Sequence, residues 1–223
     1  MPAPHYARRL QRIEAHLERS AFAEIDPVRL QVLSVAIAMF ARRGFAGTSM
    51  RDLGAAVGVR AASLYARFPG GKKQLLSEAL HAVFDEFLTF VVQPVRNDQG
   101  PREQLRTVLT QHVAWQMSAG DKAPAWDAAI NQFGIAGAMT ADEERDLRRP
   151  QGLYHGYVED LFLETCPHPV DEREMRWRAR SILAVCDATP RLSLTSRQTP
   201  PAVTAAVWRL TEDLAGLTEE DDS

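Results

Sequence analysis

Several things are scarce in this sequence, and each scarcity removes a class of protein. Only two cysteines, Cys166 and Cys186, occur in 223 residues, too few for a disulfide framework and in keeping with a reducing, cytoplasmic compartment. No uninterrupted apolar run approaches the ~18 residues of a membrane span; the best, Val35 to Phe40, is far shorter. Arg8, Arg9 and Arg12 stand where the apolar segment of a secretory leader would lie, so no membrane partner is expected. There is no Gly-x-Ser-x-Gly, no phosphate-binding glycine loop and no zinc-ligand spacing. His155 and Glu159 lie four apart, as metal ligands can, yet no third ligand stands at a telling distance along the chain. Cys166 and His168 are sequence neighbours without a base placed in space. No catalytic set, metal or cofactor is therefore expected. Strand alternation, internal repeats and low-complexity tracts are missing too.

What is present is ordinary in amount and uneven in distribution. Charged residues make up 25% and hydrophobic ones 45%, the balance of a globular chain, with a net charge of -3. That near-neutral sum argues against a nucleic-acid binder until it is divided. Residues 1–80 hold 12 Lys and Arg against 6 Asp and Glu, and residues 81–223 hold 14 against 23, giving +6 and -9. Such asymmetry marks a part facing a polyanion joined to a part that does not, or an uneven solvated surface.

The apolar spacing reads as helix throughout, so the fold class is all-α. Leu30, Leu33, Ile37 and Phe40 form one stripe, with Asp26 as N-cap, Pro27 in the first turn and Gly44 as terminator. Short helices follow, one after Thr48-Ser49 and one from Ala61 to Phe68. Ser49 and Asp52 have the spacing of a capping box. A longer stripe, Leu76, Leu80, Val83, Phe87 and Val91, should end before Pro94. Pro101 opens the next helix, where Leu105, Val108, Leu109, His112 and Gln116 share a face. The segment around Trp126, Ile130 and Phe133 is interrupted by Gly134 and Gly137. Thr140 with Glu143 caps a helix expected to kink or break near Pro150. Asp171 with Glu174, and Thr199-Pro200-Pro201, open the last two.

The block Thr48 to Lys72 carries the function. Two short helices joined at Gly58-Val59 make a helix-turn-helix, locked by Leu53, Val57, Val59, Leu64 and Phe68. Ala61, Ala62 and Ser63 leave one side of the second helix small enough to enter a major groove. Arg51, Arg60, Ser63, Tyr65, Arg67 and Lys72 supply donors that hold phosphates and read guanine edges. A plain αα-hairpin would also use the glycine but has no need of these cations. This block resembles the DNA-binding domain of the tetracycline-repressor (TetR) family of bacterial regulators. The matching residues are Phe40, Arg43-Gly44-Phe45, Thr48-Ser49-Met50-Arg51-Asp52-Leu53, Gly58-Val59, Ser63-Leu64-Tyr65, Phe68 and Pro69-Gly70-Gly71-Lys72, within roughly residues 27 to 80.

The resemblance implies residue roles. Ser49 and Arg51 would meet DNA at the start of the first short helix, and Arg60, Ala61 and Ala62 would enter the groove. Ser63, Tyr65, Arg67 and Lys72 would hold phosphates. Three positions depart from the family's habit. Arg67 stands where His is common, which raises charge and salt dependence; Lys73 replaces a usual Glu and Gly54 a usual Ala. The resemblance also implies a division into an N-terminal helical extension (1–26), the helix-turn-helix domain (27–73), a helical effector and dimerisation domain (74–218) and an acidic tail (219–223). The extension, with Leu10, Ile13 and Leu17 on one face, reads either as a basic arm reaching DNA or as a cap packed on the protein.

In the larger domain the resemblance implies a pocket and a dimer face. His112, Trp115, Trp126, Phe133, Tyr154, Tyr157 and Phe162 are the expected effector contacts, although aromatics at helical spacing also serve as plain core. Few charges are expected inside, which favours a hydrophobic small molecule; the region around Thr140 and Ser181 to Ala188 is similar to subfamilies that answer acyl-CoA or sterol-derived thioesters. Met175, Ala179, Ile182 and Cys186, with Val203, Val207, Leu210, Leu214 and Leu217, follow a 4-3 spacing suited to an isologous four-helix homodimer interface. The function expected is a dimeric, ligand-released repressor on a near-palindromic double-stranded operator, and not an enzyme. An all-α lipid or small-molecule binding protein, or an enzyme, with a vestigial helix-turn-helix is the alternative.

Overall fold

The computed structural model describes residues 3–20, 22, 25–120, 122–127, 140–167, 171–196 and 199–217. Ten helices and no strand occur among them: α1 (His5–Glu18), α2 (Pro27–Arg43), α3 (Met50–Ala56), α4 (Ala61–Arg67), α5 (Gly71–Val92), α6 (Pro101–Ser118), α7 (Lys122–Asp127), α8 (Ala141–Thr165), α9 (Glu172–Ser196) and α10 (Pro200–Ala215). Local chemistry explains most of the boundaries. Asp26 accepts the Arg29 backbone N–H at the start of α2, Pro27 fills its first turn, and Gly44 closes it at φ +70°. Thr140 and Glu143 cap α8 reciprocally, the Thr140 N–H donating to Glu143 at 2.6 Å.

Helix α8 continues through Pro150, so of the kink or break expected there the break does not occur, and α9 likewise continues through Pro190. A proline withdraws one N–H from the carbonyl four residues back. For Pro150 that is Asp146, an exposed residue whose carbonyl water can serve, while the Pro150 ring is itself buried. Packing outweighs the lost bond. Leu30 departs from its expected stripe as well: it is exposed, and α2 buries Val32, Leu33, Ala36, Ile37 and Phe40 instead.

The chain forms two compact units. One comprises Leu17–Glu86 and Ala119–Gln151; here α2 packs on α3 and α7, and α3 on α4. The other comprises Met1–His16, Phe87–Ser118 and Gly152–Ser223, with α6, α9 and α10 packed on one another. These units cut across the boundaries at 26 and 73, because α1 groups with the carboxy-terminal unit and α5 contributes to both. Leu10 and Ile13 of α1 are buried, and Arg9 Nε donates to Asp160 at 2.7 Å. Gly156 leaves room for that guanidinium, since a Cβ there would overlap Arg9. Residues 5–16 of the extension thus pack on the carboxy-terminal unit, with Arg8 and Arg12 left exposed.

Candidate nucleic-acid interface and ligand cluster

The helix-turn-helix is built by close backbone approach. Val59 N–H donates to Gly54 O at 2.9 Å, and a Cβ on Gly54 would sit 2.8 Å from the Val59 carbonyl oxygen. The glycine in place of a usual alanine therefore fits this turn, and Gly58 completes it at φ +74°. Leu53, Leu64 and Phe68 are almost fully buried beneath α3 and α4. Arg29 lies 4.4 Å over the Phe68 ring and pairs with Glu78 at 2.6 Å, which holds the base of α4.

With the apolar side fixed inward, the opposite side is left in water. Arg51, Arg60, Ala62, Ser63 and Arg67 are exposed, Ala61 is half-buried, and the Tyr65 ring is 50% exposed. Tyr65 and Arg67 of α4, Arg60 at its N-cap and Arg51 of α3 therefore all lie open to water. Two of the expected contacts are already occupied. Ser49 Oγ accepts the Asp52 N–H at 3.1 Å and donates to the Asp52 carboxylate at 2.6 Å, completing the capping box. That bonding holds the Asp52 carboxyl below its usual range. Lys72 Nζ donates to the Phe45 carbonyl at 2.6 Å and sits 4.2 Å over the Phe45 ring, leaving its other protons for a phosphate.

The effector candidates divide. His112, Trp115 and Tyr154 come together in the carboxy-terminal unit around Phe87, whose ring meets all three edge-on at 4.9, 5.1 and 5.0 Å. His112 Nδ1 lies 2.9 Å from Tyr154 Oη, and Nε2 lies 2.9 Å from Asp187 Oδ1, which also accepts from Gln116 at 2.8 Å. Tyr157 and Phe162 are core elsewhere in the unit; Tyr157 Oη donates to Gln104 Oε1 at 2.8 Å, and burial raises the phenol's pKa. Trp126 stacks on Phe84 at 4.5 Å within the other unit, and Phe133 lies outside the described residues. His168, named beside Cys166, is also outside them. Asp187 escaped sequence reasoning, although it is the sole charge in the stretch Ser181 to Pro190.

The expected dimer face needs correction. Met175, Ala179, Ile182, Cys186, Val203 and Val207 are all buried within the chain itself, while Leu210 is exposed and Leu214 and Leu217 are half-buried. The strongest apolar stripes of α9 and α10 are consumed by their packing with α6 and with each other. The outward side of α9 instead carries Trp177, 67% exposed, followed by Ser181, Ala184 and Ala188 at helical spacing. Buried Glu159 is met by Arg180 at 2.7 Å and Arg176 at 3.5 Å, so it is an ion-paired core carboxylate; His155 and Glu159 belong to no metal-ligating group among the described residues.

Comparison with known proteins agrees with this geometry. The family model described as bacterial regulatory proteins, tetR family, matches residues 32–79. No curated protein sequence matches. Solved structures share the fold at low identity. AibR, in complex with isovaleryl coenzyme A and operator DNA, is 21% identical with a TM-score of 0.67, over 81% of this chain and 96% of that one. A tetR-family regulatory protein from Rhodococcus RHA1 is 14% identical, TM-score 0.73, over 86% and 98%. The ketosteroid transcriptional regulator KstR2 of Mycobacterium tuberculosis is 17% identical, TM-score 0.66, over 86% and 95%. No helix among the described residues is long and apolar enough to cross a membrane. The matched segment takes in α3, α4 and their exposed cationic side, so this part of the chain is a helix-turn-helix of the tetR family of bacterial regulatory proteins.

Proposed function

We propose that this regulator is a cytoplasmic homodimeric repressor that leaves a near-palindromic operator when a hydrophobic small molecule enters its carboxy-terminal unit. The observation that carries the reading is the exposed face of α4, where Arg60, Tyr65 and Arg67 stand in water over a buried Leu64–Phe68 base. On this reading Arg51 and Arg60 reach base edges, Ala61 and Ala62 admit the helix to the groove and meet thymine methyls, and Ser63, Tyr65, Arg67 and Lys72 hold phosphates. Ser49 acts chiefly by fixing α3 through its cap.

Two copies would set two α4 helices against successive turns of the duplex, which is why the operator should be close to a palindrome. The outward sides of α9 and α10, with Trp177, Ala184 and Leu210, are the surface proposed for that pairing. The effector is proposed to lie at the Phe87–Trp115–Tyr154 cluster, and its class to be an acyl-CoA or sterol-derived compound. Support for the class comes from the apolar aromatic wall and from AibR, whose structure contains isovaleryl coenzyme A. Since α5 supplies Phe87 to the cluster and also runs back to Gly71 beside α4, a tilt of α5 would link ligand to operator, provided the ligand favours one of the two states.

The test is the double substitution Arg60→Ala, Tyr65→Ala. A regulator loses operator binding and retains whatever small molecule the native protein carries through native mass spectrometry. A lipid-binding protein or enzyme with a vestigial helix-turn-helix shows no DNA binding to lose.

A further inference from the structure

The ligand cluster has one hydrogen-bonding group left over. His112 has both ring nitrogens engaged, Nε2 with Asp187 Oδ1 and Nδ1 with the Tyr154 hydroxyl, each at 2.9 Å. Gln116 spends one N–H on the same Asp187 oxygen. The Trp115 indole N–H has no such partner: it is the buried side-chain polar atom without a hydrogen bond among the described residues, on a ring only 5% exposed. A buried donor left unpaired costs free energy in the empty protein and needs an explanation. Tyrosine, histidine and glutamine in the same cluster all found partners, so the exception is specific.

We propose that Trp115 Nε1–H is the polar anchor of the effector site and receives a neutral carbonyl oxygen carried on an apolar body. This rests on the ligand-binding reading above and adds the chemical group that is recognised. The vacant function is a donor, so the ligand brings an acceptor. Phe87 meets the indole in a T-shaped contact and in turn meets Tyr154, an aromatic setting that suits an apolar body beside that acceptor. The residues of the cluster include no lysine or arginine, and Asp187 adds a negative charge, so a free carboxylate is disfavoured. An acyl thioester and a polycyclic ketone both satisfy these terms.

The test uses the full-length protein labelled with 15N, whose four tryptophans give four indole signals. Trp115 is assigned as the signal missing from Trp115→Phe or, if that variant does not fold, by elimination with the other three tryptophans replaced singly. The probes are octanoyl coenzyme A, its S-octyl thioether lacking only the carbonyl oxygen, and androst-4-ene-3,17-dione. The Trp115 indole proton is expected to move downfield with a carbonyl probe and to stay in place with the thioether; which probe moves it separates thioester from ketone. For a thioester ligand, octanoyl coenzyme A should bind about tenfold more tightly than the thioether, the worth of one hydrogen bond. Trp115→Phe should bring the two to parity without losing the thioether. Binding of carbonyl probes with the Trp115 signal unmoved overturns this inference and leaves the ligand reading standing. Failure of all three probes to bind overturns both.

Discussion

In the unit containing α3 and α4, the residues proposed to act project into water, whereas in the unit containing α6, α9 and α10 they are enclosed by the same side chains that make the core. Arg60 and Tyr65 are exposed above a fully buried Leu64 and Phe68. His112, Trp115 and Tyr154 are themselves nearly inaccessible. A surface site can be separated from its scaffold by deleting one side chain at a time. A buried site cannot, since each deletion also opens a cavity. The first unit should therefore yield variants that lose function while keeping stability, and the second should yield variants in which the two move together.

The largest effect expected is the loss of scaffold under the surface site. Phe68→Ala removes a ring with no exposed area, on which Arg29 also rests, and should cost about 3–5 kcal/mol in denaturant unfolding. Arg60→Ala should leave that unfolding curve unchanged and weaken the operator complex by about 1–3 kcal/mol, read by fluorescence anisotropy. If Arg60→Ala lowers stability as much as affinity, the proposed separation in the first unit is lost.

In the second unit, Tyr157→Phe should cost about 1 kcal/mol by removing the hydroxyl that donates to Gln104, with no change in ligand response. A lost ligand response would move Tyr157 from the core into the site. His155 sharpens the comparison through pH. Burial lowers its pKa below the ordinary 6.5, with Asp187 opposing. The unfolded chain then takes up a proton first as pH falls, so the contribution of neutral His155 is complete above about 6.5 and is lost below it, through the folded-state pKa. His155→Gln should flatten that part of the stability–pH curve. The smallest effect returns to the surface: Arg67→Ala should lower the slope of log affinity against log salt by about one, without altering sequence preference.

How much was legible in the sequence follows the same division. Caps and turns are local, so Asp26, Gly44, Ser49–Asp52 and Thr140–Glu143 announced helix ends correctly, and the spacing along the chain announced the α3-turn-α4 unit. Partner choice is not local. The 4-3 stripes on α9 and α10 are real apolar faces, but periodicity does not say whether an apolar face meets its own chain or a second copy. The same gap hid the cluster around Phe87, since Phe87, Trp115, Tyr154 and Asp187 come from four helices and only tertiary packing brings them together. Pro150 illustrates a related limit: the local rule allowed a kink or a break, and with the Pro150 ring buried the helix continues.

The claim on which the rest depends is that α4 reads a specific duplex. It is tested most directly by titrating the purified protein with a labelled duplex from the region upstream of its own coding sequence, beside a shuffled duplex of equal composition, between about 50 and 200 mM salt. The account predicts tighter binding to the native sequence, a protected segment close to a palindrome, and affinity that falls steeply with salt. Equal affinity for both duplexes, or none for either, would contradict it.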